Sequence, residues 1–184
     1  MTRLIIFDFD GTIGNTRQNI VDTFHLTMRE RGLELRSDDE CASTIGLTLH
    51  QSFLSLYPSM SDAEAEECVA HYRRIFYENI DELTPLLFDG VKEALARLHA
   101  MDLKLTIASS RSSPSLLLFL KNMGISQYFS YVIGADNVPH HKPHPEPVLQ
   151  TLRECGFEPS DALVVGDMPV DMLMARNASV RCVG

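Results

Sequence analysis

The chain has 184 residues, 45% of them hydrophobic and 22% charged, with a net charge of -9. That length can bury a full hydrophobic core, as one domain or as a domain with an insert, and the acidic balance argues against a nucleic-acid partner, which calls for a basic stripe. No apolar run approaches the ~18 residues of a membrane span, and the N-terminus shows no signal-peptide pattern.

The first predicted element is an apolar strand over 3–9, which runs directly into Asp8, Asp10, Gly11 and Thr12. Two carboxylates this close repel one another and shift each other's ionisation unless a cation or a proton lies between them. From 16 to 85 the pattern changes to repeated helix starts without strand-like alternation. Thr16 is placed to cap a helix carrying Ile20, Phe24 and Met28 and ending at Gly32. Ser37 with Glu40, and Ser61 with Glu64, have the spacing of a capping box. The helix from Ser61 carries Ala65, Val69, Tyr72 and Phe76 on one stripe. Four further strands are predicted over 103–108, 131–134, 162–165 and 180–183. Helices join them, starting at Ser113-Pro114, at Pro145 and at Pro169, with Gly124 and Gly156 as stops. Strands alternating with helices make a parallel sheet with helices on both faces. The chain is therefore an α/β core, residues 1–15 and 86–184, interrupted after its first strand by an all-helical domain, 16–85.

Ligands of a parallel α/β sheet gather at the carboxyl ends of its strands. Ser109 and Ser110 follow the second strand, Lys142 lies in the loop after the third, and Asp167 and Asp171 follow the fourth. Four carboxylates facing one lysine need a counter-charge, and a hard divalent cation such as Mg²⁺ supplies it while sharing substrate phosphate oxygens. Cys41, Cys68, Cys155 and Cys182 are scattered with no Cys-x-x-Cys pair, which reads as reduced thiols in a cytoplasmic protein. His140, His141 and His144 lack the spacing of a zinc site and read as a solvated loop. Met168, Met172 and Met174 read as packing residues, and the Arg73–Arg74 pair reads as a solvated helix face.

"DFDGT", Ser109, Lys142 in "HKPHP" and "GDMPVD" resemble, in order and spacing, the four motifs of the haloacid dehalogenase superfamily, over nearly the whole chain. The resemblance implies a Rossmann-like core with a helical cap that opens to admit substrate and closes to exclude water. It makes Asp8 the nucleophile that becomes an aspartyl-phosphate, and Asp10 the acid and base. Mg²⁺ would be held by Asp8, Asp167 and the Asp10 main-chain carbonyl. Thr12, Ser109, Ser110 and Lys142 would bind phosphate, and Asp171 would orient metal-bound water or Lys142. "STIGLTLHQS" resembles the cap's specificity loop, with Gly46 at its bend and His50 as a phosphate grip.

These roles imply a Mg²⁺-dependent hydrolase of small phosphorylated metabolites, similar to phosphoglycolate phosphatases. Asp10 argues against a dehalogenase, which needs no acid for a halide. The absence of any lysine before Lys92 argues against a phosphonate-cleaving Schiff base. A β-phosphoglucomutase-like phosphotransferase and a pyrophosphatase are the alternatives on the same site. An aspartate-phosphorylated regulatory module is the non-enzyme alternative. The family pattern also runs on past the fifth strand, where this sequence stops at Val183-Gly184, so an exposed sheet edge is expected. Ser179 stands where relatives commonly have glycine.

Overall fold

The computed structural model describes residues 2–184. β1 spans Leu4–Phe7 and β2 spans Gly14–Asn15. Helices α1 (Arg17–Arg31), α2 (Asp38–Ala42), α3 (Leu49–Leu56) and α4 (Asp62–Glu78) follow. Next come β3 (Leu86–Leu87), α5 (Val91–Ala100), β4 (Lys104–Ala108) and α6 (Ser113–Asn122). The chain ends with β5 (Phe129–Ile133), α7 (Glu146–Cys155), β6 (Ala162–Val165), α8 (Pro169–Asn177) and β7 (Arg181–Val183). Two compact units result: the residues through Asn15 with Leu86–Gly184, and Thr16–Pro85.

The first unit is a five-stranded parallel sheet in the order β5-β4-β1-β6-β7. All four residues of β1 are buried, as a central parallel strand requires, and Leu-Ile-Ile-Phe meets that requirement with bulky and β-branched side chains. Leu4, Ile6, Ala162 and Val164 form one cluster with Val148 and Leu152 of α7 and Met174 and Ala175 of α8. Each such large side chain contributes roughly 1.5–3 kcal/mol by leaving water. Phe7 lies opposite Ile107 of β4 and Val165 of β6. That register brings three strands to an end at one level, so the residues just beyond them share one edge.

Some boundaries differ from the sequence-based ones. β5 begins at Phe129 rather than 131, where the Phe129 ring meets Phe7 edge-on at 6.4 Å. Residues 86–102, left unassigned by pattern, hold α5 and the short strand β3, which pairs antiparallel with β2.

The second unit is helical. Its core is an aromatic triangle of Phe24, Phe53 and Tyr72, with ring centroids 5.0 to 6.5 Å apart. The capping boxes at Ser37 and Ser61 are both formed, and Thr48 with Gln51 makes a third. Thr16 does not cap α1: its backbone is already helical, and its buried hydroxyl has no partner. Gly32 ends that helix in the left-handed conformation, as expected. The proposed specificity loop is shorter than its sequence suggests. Gly46 does bend it, with φ of 96°, but α3 starts at Leu49 and carries His50 on its first turn. Among the described residues no helix is long and apolar enough to cross a membrane.

Ser179 has φ of 57°. It closes α8 in a left-handed turn, with Val180 N–H donating to the Ala175 carbonyl at 2.9 Å. A side chain in that conformation costs roughly 1–2 kcal/mol, part of which glycine gives back as chain entropy. Ser179→Gly should therefore raise stability by about 0.5–1 kcal/mol and the melting temperature by about 1–4 °C, read by calorimetry. An unchanged or lower melting temperature would contradict the strain.

Candidate active site

Asp8 follows β1 directly and is 6% exposed. Its Oδ1 accepts from Lys142 Nζ at 2.5 Å, and the same ammonium donates to Asp171 Oδ1 at 2.6 Å. Lys142 and Asp171 are buried as well, at 6% and 1% exposure. The other Asp171 oxygen accepts from the Met168 N–H at 3.1 Å, at the start of α8. One ammonium thus ties the end of β1 to the first turn of α8 from the loop after β5.

Burial pushes the Asp8 carboxyl up to about 7, with Asp171 and Asp10 adding repulsion and only Lys142 opposing. Burial also works against the Lys142 charge, but Asp8 and Asp171 outweigh it and hold the ammonium above the usual lysine value.

Asp167 is exposed and joins Asp8 and Asp171 in a group whose carboxylate oxygens lie within 4.8 Å of one another. Two features aim it. The Thr12 hydroxyl donates to Asp167 Oδ1 at 2.9 Å. Gly11, at φ of 87°, packs so closely that a Cβ there would overlap the Asp167 carboxylate. Gly166 serves Asp171 likewise, since a Cβ would come 2.6 Å from its carboxyl carbon.

Ser109 is buried at the end of β4, and its Oγ accepts from the Arg111 N–H at 3.2 Å. Ser110 is partly buried beside it. Asp10 stands apart from the three-acid group. Its two oxygens accept from Arg111 Nη2 at 2.8 Å and Nε at 3.3 Å. Sequence reasoning missed Arg111. The signal was its position directly after Ser109-Ser110, in a site counted as four acids against one lysine.

The four carboxylates face two cations, a formal deficit of two positive charges. An all-oxygen donor set with that deficit fits a hard divalent cation. His50 and Gly46 belong to the helical unit, where His50 Nε2 lies 3.3 Å from Asp62 and 3.8 Å from Glu66. His140 and His144 sit ring to ring at 4.5 Å in an exposed loop, and the His140–His144 segment forms no metal-type cluster among the described residues.

Residues 5–184 match the family model of haloacid dehalogenase-like hydrolases. The chain belongs to that family. It is 34% identical over 186 residues to the probable phosphatase IndB of Dickeya dadantii, covering 100% of this chain and 81% of the relative. It is 32% identical over 181 residues to the pyrophosphatase PpaX of Listeria monocytogenes, covering 98% and 81%. Among solved structures, a protein described as a haloacid dehalogenase-like hydrolase of Bacteroides fragilis superposes with a TM-score of 0.94 at 28% identity, covering 99% and 86%. A predicted phosphoglycolate phosphatase of Haemophilus somnus does so with 0.89 at 25% identity, covering 100% and 84%. This haloacid dehalogenase-like protein is an enzyme, a phosphatase of the family.

A proton and a divalent cation compete for Asp8. Its carboxyl is raised in the folded chain, so its neutral burial favours folding below about pH 4 and that contribution is lost as pH rises through about 7. Above that range a cation on the site relieves the cost. Mg²⁺ should therefore raise the melting temperature by several degrees at pH 8 and by much less at pH 5. Equal shifts at both pH values would place the ion elsewhere.

Proposed function

We propose that the chain is a Mg²⁺-dependent phosphatase of small metabolites, phosphoglycolate phosphatase-like, that works through an aspartyl-phosphate on Asp8. The observation that carries this reading is Asp8 itself: a buried carboxylate at a strand end, paired with a buried ammonium at 2.5 Å and grouped with Asp167.

In the first step an Asp8 oxygen forms a bond to phosphorus while the bond to the leaving oxygen breaks. Asp10 gives that oxygen its proton and later takes one from the water that hydrolyses the acyl phosphate. The Ser109 hydroxyl and the Ser110 amide hold phosphoryl oxygens, and Lys142 offsets the charge between them and Asp8. Asp171 holds Lys142 in place. Thr12 belongs with the phosphate-binding groups and also steadies Asp167 through its hydroxyl. Asp8, Asp167 and the Asp10 main-chain carbonyl would hold Mg²⁺, which when bound offsets the negative charge of the phosphoryl group. Positioning and charge stabilisation then account for most of the rate.

Gly46 and His50 would be cap specificity residues, Gly46 for the bend it makes and His50 for its imidazole on the first turn of α3. The cytoplasmic reading rests on four free thiols. A second reading, inorganic pyrophosphatase, draws on the relatives named pyrophosphatase PpaX.

Asp8→Asn should lower turnover of an aryl phosphate by at least about 10³-fold, as loss of a nucleophile does, with an unchanged circular dichroism spectrum. Retained turnover would remove Asp8 from its role. EDTA should silence the wild-type enzyme and Mg²⁺ restore it; activity in EDTA would refute the metal. Phosphoglycolate and pyrophosphate in one panel separate the two readings by kcat/KM. Rapid conversion of glucose 1-phosphate to the 6-phosphate, in the presence of the bisphosphate, would instead mark a mutase.

A further inference from the structure

Asp136 lies outside the four motifs, on the turn that follows β5, and its carboxylate grips the start of α6. Oδ1 accepts from the Ser113 N–H at 2.6 Å, and Oδ2 accepts from the Ser113 hydroxyl at 2.7 Å. A helix leaves its first N–H groups without partners, and the residue just before it usually supplies one. Ser112 stands at that place and makes no such bond with its side chain. The cap of α6 comes instead from a different segment, 23 residues further along the chain. Its negative charge also suits the positive end of the helix.

The same turn holds the loop between β4 and α6 at further points. The Ser109 N–H donates to the Ile133 carbonyl at 3.1 Å, and the Ala135 N–H donates to the Arg111 carbonyl at 3.0 Å. Between them lies Gly134, where a Cβ would come 2.4 Å from the Ser113 nitrogen and 2.5 Å from the Arg111 oxygen. The Gly134 N–H donates to Asn137 Oδ1 at 2.9 Å, which closes the turn. Residues 109, 111 and 113 are thus all bonded to the end of β5. Inside that clasp the Arg111 N–H donates to Ser109 Oγ, and a hydroxyl that accepts one bond still has its own proton to give. The main-chain bonds would survive any substitution at 136. The grip on Ser113 depends on the Asp136 carboxylate alone.

We propose that Asp136 is a positioning residue: by capping α6 through Ser113, it holds the 109–113 loop in the shape that presents the Ser109 hydroxyl to a phosphoryl oxygen. The inference rests on Ser109 as a phosphoryl-binding group. Without the carboxylate, the first turn of α6 frays and the loop adopts its working shape for only part of the time. The fraction of competent enzyme falls accordingly, and transition-state binding with it.

The test is steady-state hydrolysis of 4-nitrophenyl phosphate by the full chain with saturating Mg²⁺. Asp136→Ala should lower kcat/KM about 10-fold, the order of effect to which loss of a helix cap converts. Asp136→Asn should stay within about threefold of wild type, because its amide oxygen accepts from the Ser113 N–H and its amide nitrogen donates to the Ser113 hydroxyl. The deciding arm is the Ser109→Ala background. With no hydroxyl left to position, and only the Ser110 amide still relying on the loop, Asp136→Ala should cost about threefold or less there. A cap that merely stabilised the fold would lower the melting temperature and leave kcat/KM unchanged, or lower it equally in both backgrounds. Ser113→Ala removes one of the two bonds and should show a smaller loss with the same dependence on Ser109; it carries the test if Asp136→Ala does not fold.

Wild-type kcat/KM in Asp136→Ala, an equal factor in both backgrounds, or a loss in Asp136→Asn as large as in Asp136→Ala would overturn the proposal. Failure of the underlying reading has a different signature: wild-type kcat/KM in Ser109→Ala alone, which would leave nothing to position.

Discussion

A buried ammonium shared by two buried carboxylates is the interaction on which this site depends. Moving an ion from water into a protein interior costs several kcal/mol, and mutual attraction recovers that only where geometry and hydrogen bonding are good. Lys142 meets the condition with contacts of 2.5 and 2.6 Å to Asp8 and Asp171. The compensation is incomplete. Burial still pushes the Asp8 carboxyl up to about 7, so the fold holds a carboxylate in a place where added positive charge favours its ionised form. A group in that condition is poised to respond to a cation and to a phosphoryl group.

Close packing supplies the second constraint. Gly11 and Gly166 leave no room for a Cβ against the Asp167 and Asp171 carboxyls, and the Thr12 hydroxyl fixes Asp167 from one side. The Gly11 and Thr12 contacts with Asp167 join the loop after β1 to the loop after β6, adjacent strands in parallel register with Leu4 opposite Ala162 and Phe7 opposite Val165. The acids are held by the core, not by one another. Family membership follows from this shared core, whereas substrate choice follows from side chains grafted around it.

Much of the fold was legible in the chain. β1 could be read because four bulky apolar residues run without interruption into carboxylates, and α4 because a capping box precedes a clear apolar stripe. Other elements were harder. Thr16 has the composition of a cap, but its backbone is already helical, a property that composition does not encode. Thr48 and Gln51 carry a capping box that the polar, glycine-containing stretch around them disguised as loop. β5 starts early because Phe129 finds Phe7, a residue far away in sequence.

The sequence by itself determined the order of the main strands and their crossover helices, the helical insert and the placement of the acids and the lysine after strand ends, because strand ends in a parallel sheet announce the ligand edge. Only the tertiary structure decided which charge meets which. Asp10 pairs with Arg111 across 101 residues and Thr12 with Asp167 across 155. Such pairings turn on strand register, left-handed turns and side-chain rotamers, which are settled when the whole core packs and leave no local pattern to read.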